Sequence, residues 1–349
     1  MCKTSKLIYD CKPGEILAED IMNSRNILLV VKNTVLNEFI KEKLIELGIR
    51  KVQVYEQREV SQPESKYSEY ELMRKNYSHL LSTVKYILQK LSSNSLHYKE
   101  VELLTDAILK FIHEPINIIQ YLNQVKDNSE YTYQHSVNVA FYAMLTSRWL
   151  KLTNKDIRNV IQAALLHDIG KLETPPEILN KNGSLTDEEY EIIKKHPESG
   201  YRMLKDNPTI NNSVKETILQ HHERIDGSGY PYQLKGDQIN LYARIIAICD
   251  VFDAMTQDRV YKEKVSPFDT FKMFLSRGLT SFDIHTMHVF ITNISPYYIG
   301  AWVRLSDGKE GQIVYIPPQN ILYPVVGTGT EYIDLGKNTD LKIVEIIQM

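Results

Sequence analysis

The sequence predicts a mostly α protein: a helical bundle, preceded by a small α/β module and followed by a small β-rich segment. Three observations predict it. Apolar residues recur at helical spacing, or in unbroken apolar runs, through most of residues 68–292. Short alternating runs between Gly, Pro and Asn turns, the pattern of strands, are confined to the two ends of the chain. Several central apolar helices also end in, or carry, a histidine or an aspartate, and His167-Asp168 after Val160–Leu166 is the plainest case. An imidazole beside a carboxylate at the end of a core helix is costly to bury without partners, and a metal ion is one such partner.

Taken in order, residues 1–60 read as the α/β module. Pro13-Gly14 marks a turn, and Ile27–Val31 and Lys51–Tyr55 are strands. Leu36, Ile40, Leu44 and Leu47 give a helix that Gly48 closes. Residues 61–114 form a helical linker region after a polar stretch, Gln57–Lys66. Leu80, Val84, Ile87, Leu88 and Leu91 make one apolar stripe there, and Leu103, Leu104, Ile108, Leu109 and Ile112 another. His79, His97 and His113 have no ligand-type companions nearby and read as ordinary.

Within 115–293 a helix opens at Tyr131–Ser136 and runs to about Leu150. Thr153 caps the next one, with Asp156 standing in for the Glu of a capping box, and this helix ends at His167-Asp168. Thr186–Glu189 is a capping box for a helix that Pro197 interrupts at His196. A helix from about Val214 to His222, the turn-rich Asp226–Pro231 and the apolar helix Ala243–Asp250 follow, with further helix from Pro267 to about Thr292. Residues 294–349 form the β-rich segment, with strands at Trp302–Leu305, Gly311–Tyr315, Tyr323–Val326 and Lys342–Ile346, and Asp307-Gly308 as a hairpin turn.

Composition excludes several functions. A formal net charge of -3 gives no electrostatic reason to bind a nucleic-acid polymer. No apolar run approaches the roughly 20 residues that span a bilayer, and the N-terminus lacks the apolar core of a signal peptide. Three cysteines, Cys2, Cys11 and Cys249, form no disulfide framework. A cytoplasmic protein without a membrane role is the expectation.

The residues able to join His167 and Asp168 are His135, His196, His221, His222 and Asp250, so five of the ten histidines are candidate ligands within one helical region. Imidazole and carboxylate together suit borderline divalent metals such as Fe, Mn or Zn. Seven ligands are too many for one ion and enough for two, with Asp168 as the bridge at a separation of roughly 3.5–4 Å. Such a pair activates water and clamps phosphoryl oxygens. Lys171 is placed to steady the leaving oxygen or the attacking water.

At this point the residues resemble a family. His135, His167-Asp168-Ile169-Gly170-Lys171, His196-Pro197-Glu198, His221–Pro231, Asp250–Thr256 and Asp258–Lys262 together are similar to the HD-GYP domain, a metal-dependent class of cyclic di-GMP phosphodiesterases. The resemblance implies an HD-type all-helical catalytic bundle at 115–293. It puts His135, His167, Asp168 and Asp250 on one metal, with Asp168 bridging to a second held by His196, His221 and His222. It further implies two divalent ions, Fe or Mn foremost, with Asp168 and Lys171 serving catalysis. Gly229, Tyr230 and Pro231 would lie beside a guanine or ribose, and Arg259 and Lys262 would face phosphates.

One departure limits the resemblance. Three-metal members carry a glutamate four residues before the first histidine, where this chain has Tyr131, with Glu130 one place off. On a helix four residues return to within about 40° of His135, and five swing about 140° away. Two metals are therefore expected, and linear pGpG and GMP both stay open as products. The alternatives are hydrolysis of another cyclic dinucleotide or nucleotide, and a non-catalytic receptor for cyclic dinucleotides. The loop around Tyr230 is a candidate dock for a diguanylate cyclase or another signalling domain, and the helices at 68–126 are candidates to pair protomers in a homodimer.

Overall fold

The computed structural model describes residues 3–25, 27–55, 77–86, 99–113, 118, 119, 122, 131–181, 183–257, 265–329 and 331–348. Its contacts divide the chain into two compact units. One comprises Met1–Glu71, Ile119–Gln124 and Phe290–Met349, and the other Leu72–Ile118 and Val125–Val289.

In the first unit, β1 (Lys3–Leu7) pairs antiparallel with β4 (Lys51–Tyr55), and β2 (Ile21–Met22) with β3 (Leu28–Val30). The helix Glu38–Glu46 begins at Asn37, whose side chain accepts from Ile40 N, an ordinary N-cap. It ends ahead of Gly48, whose φ of 77° suits a residue without Cβ. The C-terminal strands β5 (Trp302–Leu305), β6 (Glu310–Tyr315), β7 (Val325–Gly327), β8 (Tyr332–Asp334) and β9 (Ile343–Gln348) form one antiparallel sheet in the order β8-β7-β6-β5-β9. Asp307-Gly308 turns β5 into β6, with Gly308 at φ 85°. The helix Glu38–Glu46 lays Phe39 against Tyr315 and Tyr332, at ring separations of 5.9 and 5.1 Å. The segments from the two ends of the chain therefore share one apolar core.

Four strand details differ from the sequence reading. β1, β2 and β8 were not expected, because Lys3–Leu7 and Tyr332–Asp334 carry too few apolar residues to show alternation and Ile21–Met22 is too short to show any. Tyr323 and Pro324 precede β7 instead of opening it.

The second unit is helical. Lys99–Leu109 buries Val101, Leu104 and Ile108, whereas Leu103 is exposed, so the true stripe is displaced from the expected one by the helix's phase. Ile87, Leu88, Leu91, His97 and the Gln57–Lys66 linker lie outside the described residues. Tyr131–Trp149 is buried almost all round through Val137–Leu145 and packs on Asn154–Leu166 and Leu241–Thr256. Thr153 caps Asn154–Leu166 through Asp156 N, but the Asp156 carboxylate takes hydrogen bonds from Thr153 Oγ1 and Tyr242 Oη instead of closing the box. The capping box of Asp187–Ile193 is complete, with Thr186 and Glu189 bonded reciprocally. Pro197 sits in the first turn of a separate helix, His196–Leu204, where its missing N–H costs nothing. Asn212–Gln220 stops just short of His221. The expected run from Pro267 is three helices, Pro267–Phe274, Gly278–Ser281 and Ile284–Ile294, broken where Leu275–Arg277 and Phe282-Asp283 turn the chain. No helix among the described residues is long and apolar enough to cross a membrane.

Candidate metal centre

Helix ends deliver most of the centre. His167 follows Asn154–Leu166, His196 opens His196–Leu204, and His221-His222 follow Asn212–Gln220. His135 and Asp250 come from within Tyr131–Trp149 and Leu241–Thr256. At the helix ends three imidazoles use one device. His167 Nδ1 lies 2.7 Å from Ala164 O, His196 Nδ1 2.7 Å from Ile193 O, and His221 Nδ1 2.7 Å from Ile218 O. A carbonyl only accepts, so each Nδ1 carries the hydrogen and each neutral ring turns a bare Nε2 lone pair inward.

Those Nε2 atoms converge on Asp168. Asp168 Oδ1 is 3.3 Å from His196 Nε2 and 3.9 Å from His221 Nε2. Its other oxygen, Oδ2, is 3.4 Å from His167 Nε2 and 4.0 Å from His135 Nε2. One carboxylate thus presents an oxygen to each of two ligand groups, Asp168-His196-His221-His222 and His135-His167-Asp250, within each of which the donor atoms lie within 4.8 Å of one another.

The donor set fits divalent cations. His196 Nε2 and His221 Nε2 are 3.1 Å apart, yet with both Nδ1 hydrogens committed to carbonyls, two neutral rings have no hydrogen to share there. His167 Nε2 and Asp168 Oδ1 are buried without a hydrogen bond, an expensive arrangement unless a cation takes both. Their ordinary protein partners are therefore missing at the atoms a metal would use.

The electrostatics agree. Burial opposes charge on Asp168, but His167 and Lys171 hold its carboxyl well below the usual range, and Asp250 is depressed against the same burial by His135. Burial also resists a charged His135, yet hydrogen bonds to Asp250 at 3.0 Å and Asp253 at 2.7 Å raise its pKa to about 9. Burial first, and the crowding of His222, His167 and His196 second, hold His221 well below its ordinary value. His222 is likewise depressed, chiefly by burial.

Lys171 Nζ ion-pairs with Asp168 Oδ2 at 2.6 Å, one turn beyond it. In the Asp226–Pro231 loop, Tyr230 stacks on His222 with ring centroids 4.7 Å apart and planes at 25°, and Lys194 Nζ lies 5.5 Å above the Tyr230 ring. The Tyr230-Pro231 peptide is cis. Gly229 is buried, and a Cβ there would come within 2.4 Å of Arg224 N and 2.5 Å of His222 O, so the loop closes on the His221-His222 turn only without a side chain. Arg259 and Lys262 lie outside the described residues, as do Glu130 and the side chain of Tyr131.

Sequence reasoning missed four contributors. Asp253 and Asn138 are each three residues beyond a candidate ligand, Asp250 and His135, and that spacing on one helix face was the available signal. Glu223 is buried and accepts Tyr232 N at 2.7 Å and Leu234 N at 3.0 Å, pinning the far side of the Tyr230 loop. Tyr77 gave no signal, since its partner Asn138 is 61 residues away in sequence.

Such a helical unit, built round a His-Asp pair that gathers further imidazoles, has counterparts among known proteins. Residues 120–285 match the family model of the HD domain. It is 39% identical over 223 residues to cyclic di-GMP phosphodiesterase PA4108 of Pseudomonas aeruginosa, covering 64% of this chain and 54% of that one. It is 36% identical over 190 residues to 3'3'-cGAMP-specific phosphodiesterase 1 of Vibrio cholerae, covering 54% and 44%. The chain spans about half the length of these relatives. The solved structure of Bd1817, an HDG"Y"P protein from Bdellovibrio bacteriovorus, shares the fold at a TM-score of 0.51 and 16% identity, covering 83% of this chain and 98% of that one.

Proposed function

We propose that residues 115–293 are the catalytic domain of a metal-dependent phosphodiesterase that hydrolyses cyclic di-GMP to pGpG, GMP or both, through a binuclear His/Asp centre. The observation that carries this reading is Asp168, one oxygen toward each ligand group. His135, His167 and Asp250 would hold one ion, His196, His221 and His222 the other, and Asp168 both, with Fe or Mn matching the mixed imidazole and carboxylate donors. When bound, the pair would supply the charge that activates water and neutralises phosphoryl oxygens.

The remaining work falls to side chains. Lys171 keeps a fixed positive charge beside Asp168, placed to steady a developing negative oxygen. Tyr230 with Gly229 and Pro231 gives a flat wall next to His222, suited to a guanine face. Arg259 and Lys262 keep their proposed phosphate role from the sequence. The cytoplasm is the proposed setting, where the buried thiols Cys11 and Cys249 stay free. A diguanylate cyclase docking at the Tyr230 loop, and a homodimer, belong to the same proposal.

The 36% identity to a 3'3'-cGAMP-specific enzyme favours a second substrate, the mixed cyclic dinucleotide. The deciding experiment measures metal content of anaerobically purified protein beside product analysis with cyclic di-GMP and 3'3'-cGAMP. Two metals per chain with faster turnover of cyclic di-GMP is the expected result. Faster turnover of 3'3'-cGAMP would move the substrate. Tight nucleotide binding without turnover by Fe- or Mn-loaded protein would make the chain a receptor.

A further inference from the structure

Behind His135 a chain of buried polar groups runs out of the matched HD domain. Tyr77 Oη donates to Asn138 Oδ1 at 2.6 Å, and Asn138 Nδ2 donates to Asp253 Oδ1 at 2.9 Å. Asp253 Oδ2 then accepts from His135 Nδ1 at 2.7 Å. All four side chains are buried, with Tyr77 1% exposed and Asn138 and Asp253 fully enclosed.

Each link fixes the polarity of the next. An ionised carboxylate only accepts, so Asn138 must turn its NH2 toward Asp253 and its carbonyl oxygen away. That oxygen is then buried and needs a donor, which the Tyr77 hydroxyl supplies. Without it, the buried Asn138 oxygen loses its donor, and the Asn138–Asp253 hydrogen bond loses the anchor on its far side. Asp253 in turn holds the His135 hydrogen on Nδ1, leaving Nε2 aimed at Asp250 and Asp168. The other ligand imidazoles with a bonded Nδ1 rest on their own backbone, and His135 rests on this chain.

We propose that Tyr77 is a positioning residue for the half-site of His135, His167 and Asp250. Its hydroxyl, acting through Asn138 and Asp253, keeps the His135 Nδ1–H on Asp253 and so sets how tightly that half-site takes a divalent cation. Residue 77 precedes the matched domain at 120–285, so a segment outside the HD domain tunes one metal and not the other. This rests on the metal reading above, and the test separates the two.

The variant is Tyr77→Phe in the full chain, which removes one oxygen and keeps the ring that stacks on Phe141. Mn(II) binding to the metal-free protein is followed by titration calorimetry. In parallel, the low-field Nδ1–H signal of His135 is followed by NMR for its exchange with water in metal-free protein. The expected result is one of two Mn(II) equivalents weakened about tenfold, the other unchanged, and faster Nδ1–H exchange. Wild-type affinity for both equivalents, or equal weakening of both, overturns the proposal. So does an effect seen in Tyr77→Leu but absent in Tyr77→Phe, since packing alone would then be at work. If the wild-type protein takes up no metal, the binuclear reading falls. The exchange rate then decides alone: faster exchange in Tyr77→Phe sustains the positioning chain, and an unchanged rate removes it.

Discussion

Gly170→Ala tests whether the two ligand groups depend on one close contact. Gly170 packs on the start of His196–Leu204, and a Cβ built there would lie 1.9 Å from His196 O and 2.5 Å from Gly200 N. Ordinary contact begins near 3.4 Å, so the His196 backbone would have to retreat by about 1.5 Å, the difference between 3.4 and 1.9. The obstacle is backbone, not the far end of a flexible side chain, so it has no inexpensive way to yield. Overpacking of this kind costs about 1–3 kcal/mol, and a unit of this size loses about 2–4 °C in melting temperature for each. The functional cost is expected to be larger, because the residue displaced is a proposed metal ligand. A misplacement of about 1 Å removes about 100-fold in rate. Gly170→Ala is therefore expected to melt several degrees lower, to bind only one metal tightly, and to lose about 100-fold in kcat. Differential scanning calorimetry, metal titration and product assays on one preparation provide all three readings. A variant that melts within a degree or so of wild type and holds both metals would refute the packing argument.

Three other outcomes follow from the same geometry. Asp168→Asn removes the shared anionic ligand, so metal at about 100 times its Kd, worth about 2.7 kcal/mol to the wild type, should leave the variant's melting temperature unmoved. Lys171→Met should keep both metals and lower kcat about 10²-fold, whereas loss of metal would make Lys171 a structural partner of Asp168 only. The metal-free protein should lose stability as the pH falls from about 6.5 to 5. His221 and His222 have depressed folded pKa values, so the unfolded chain takes up protons there that the folded one does not, at about 1.4 kcal/mol per pH unit for His221. His135, raised to about 9, works oppositely and only above its unfolded value, where its contribution is lost as the pH rises through 9. Urea unfolding at pH 6.5 and 5.5 checks the sign, and greater stability at 5.5 would contradict it.

Much of this centre was legible because its chemistry is carried by rare residues at helix ends. His167-Asp168, His196 and His221-His222 each terminate or open a helix whose periodicity is plain, so sequence pattern fixed both identity and rough placement. The supporting residues were less legible for a physical reason. Asp253, Asn138 and Glu223 act through hydrogen bonds whose partners are over a hundred residues away in sequence or are backbone atoms of a loop. Leu103 shows the same limit in apolar form, since the phase of a short helix is set by what it packs on. The short strands β1 and β8 are held by their partners β4 and β7 more than by their own side chains, and local pattern could not show them.

The three imidazoles that donate to a carbonyl three residues back have a consequence for how this protein tolerates change. Their donor state is written into the main chain, and no substitution elsewhere deletes a backbone carbonyl. His167, His196 and His221 are thus insulated from drift in neighbouring side chains so long as their helices form. His135 has no such insurance, because Asp250, Asp253, Asn138 and Tyr77 can each be replaced by a single mutation. Inherited variation in metal affinity should accumulate around one histidine, and a lineage adjusting this protein to scarcer metal would find its adjustable positions there.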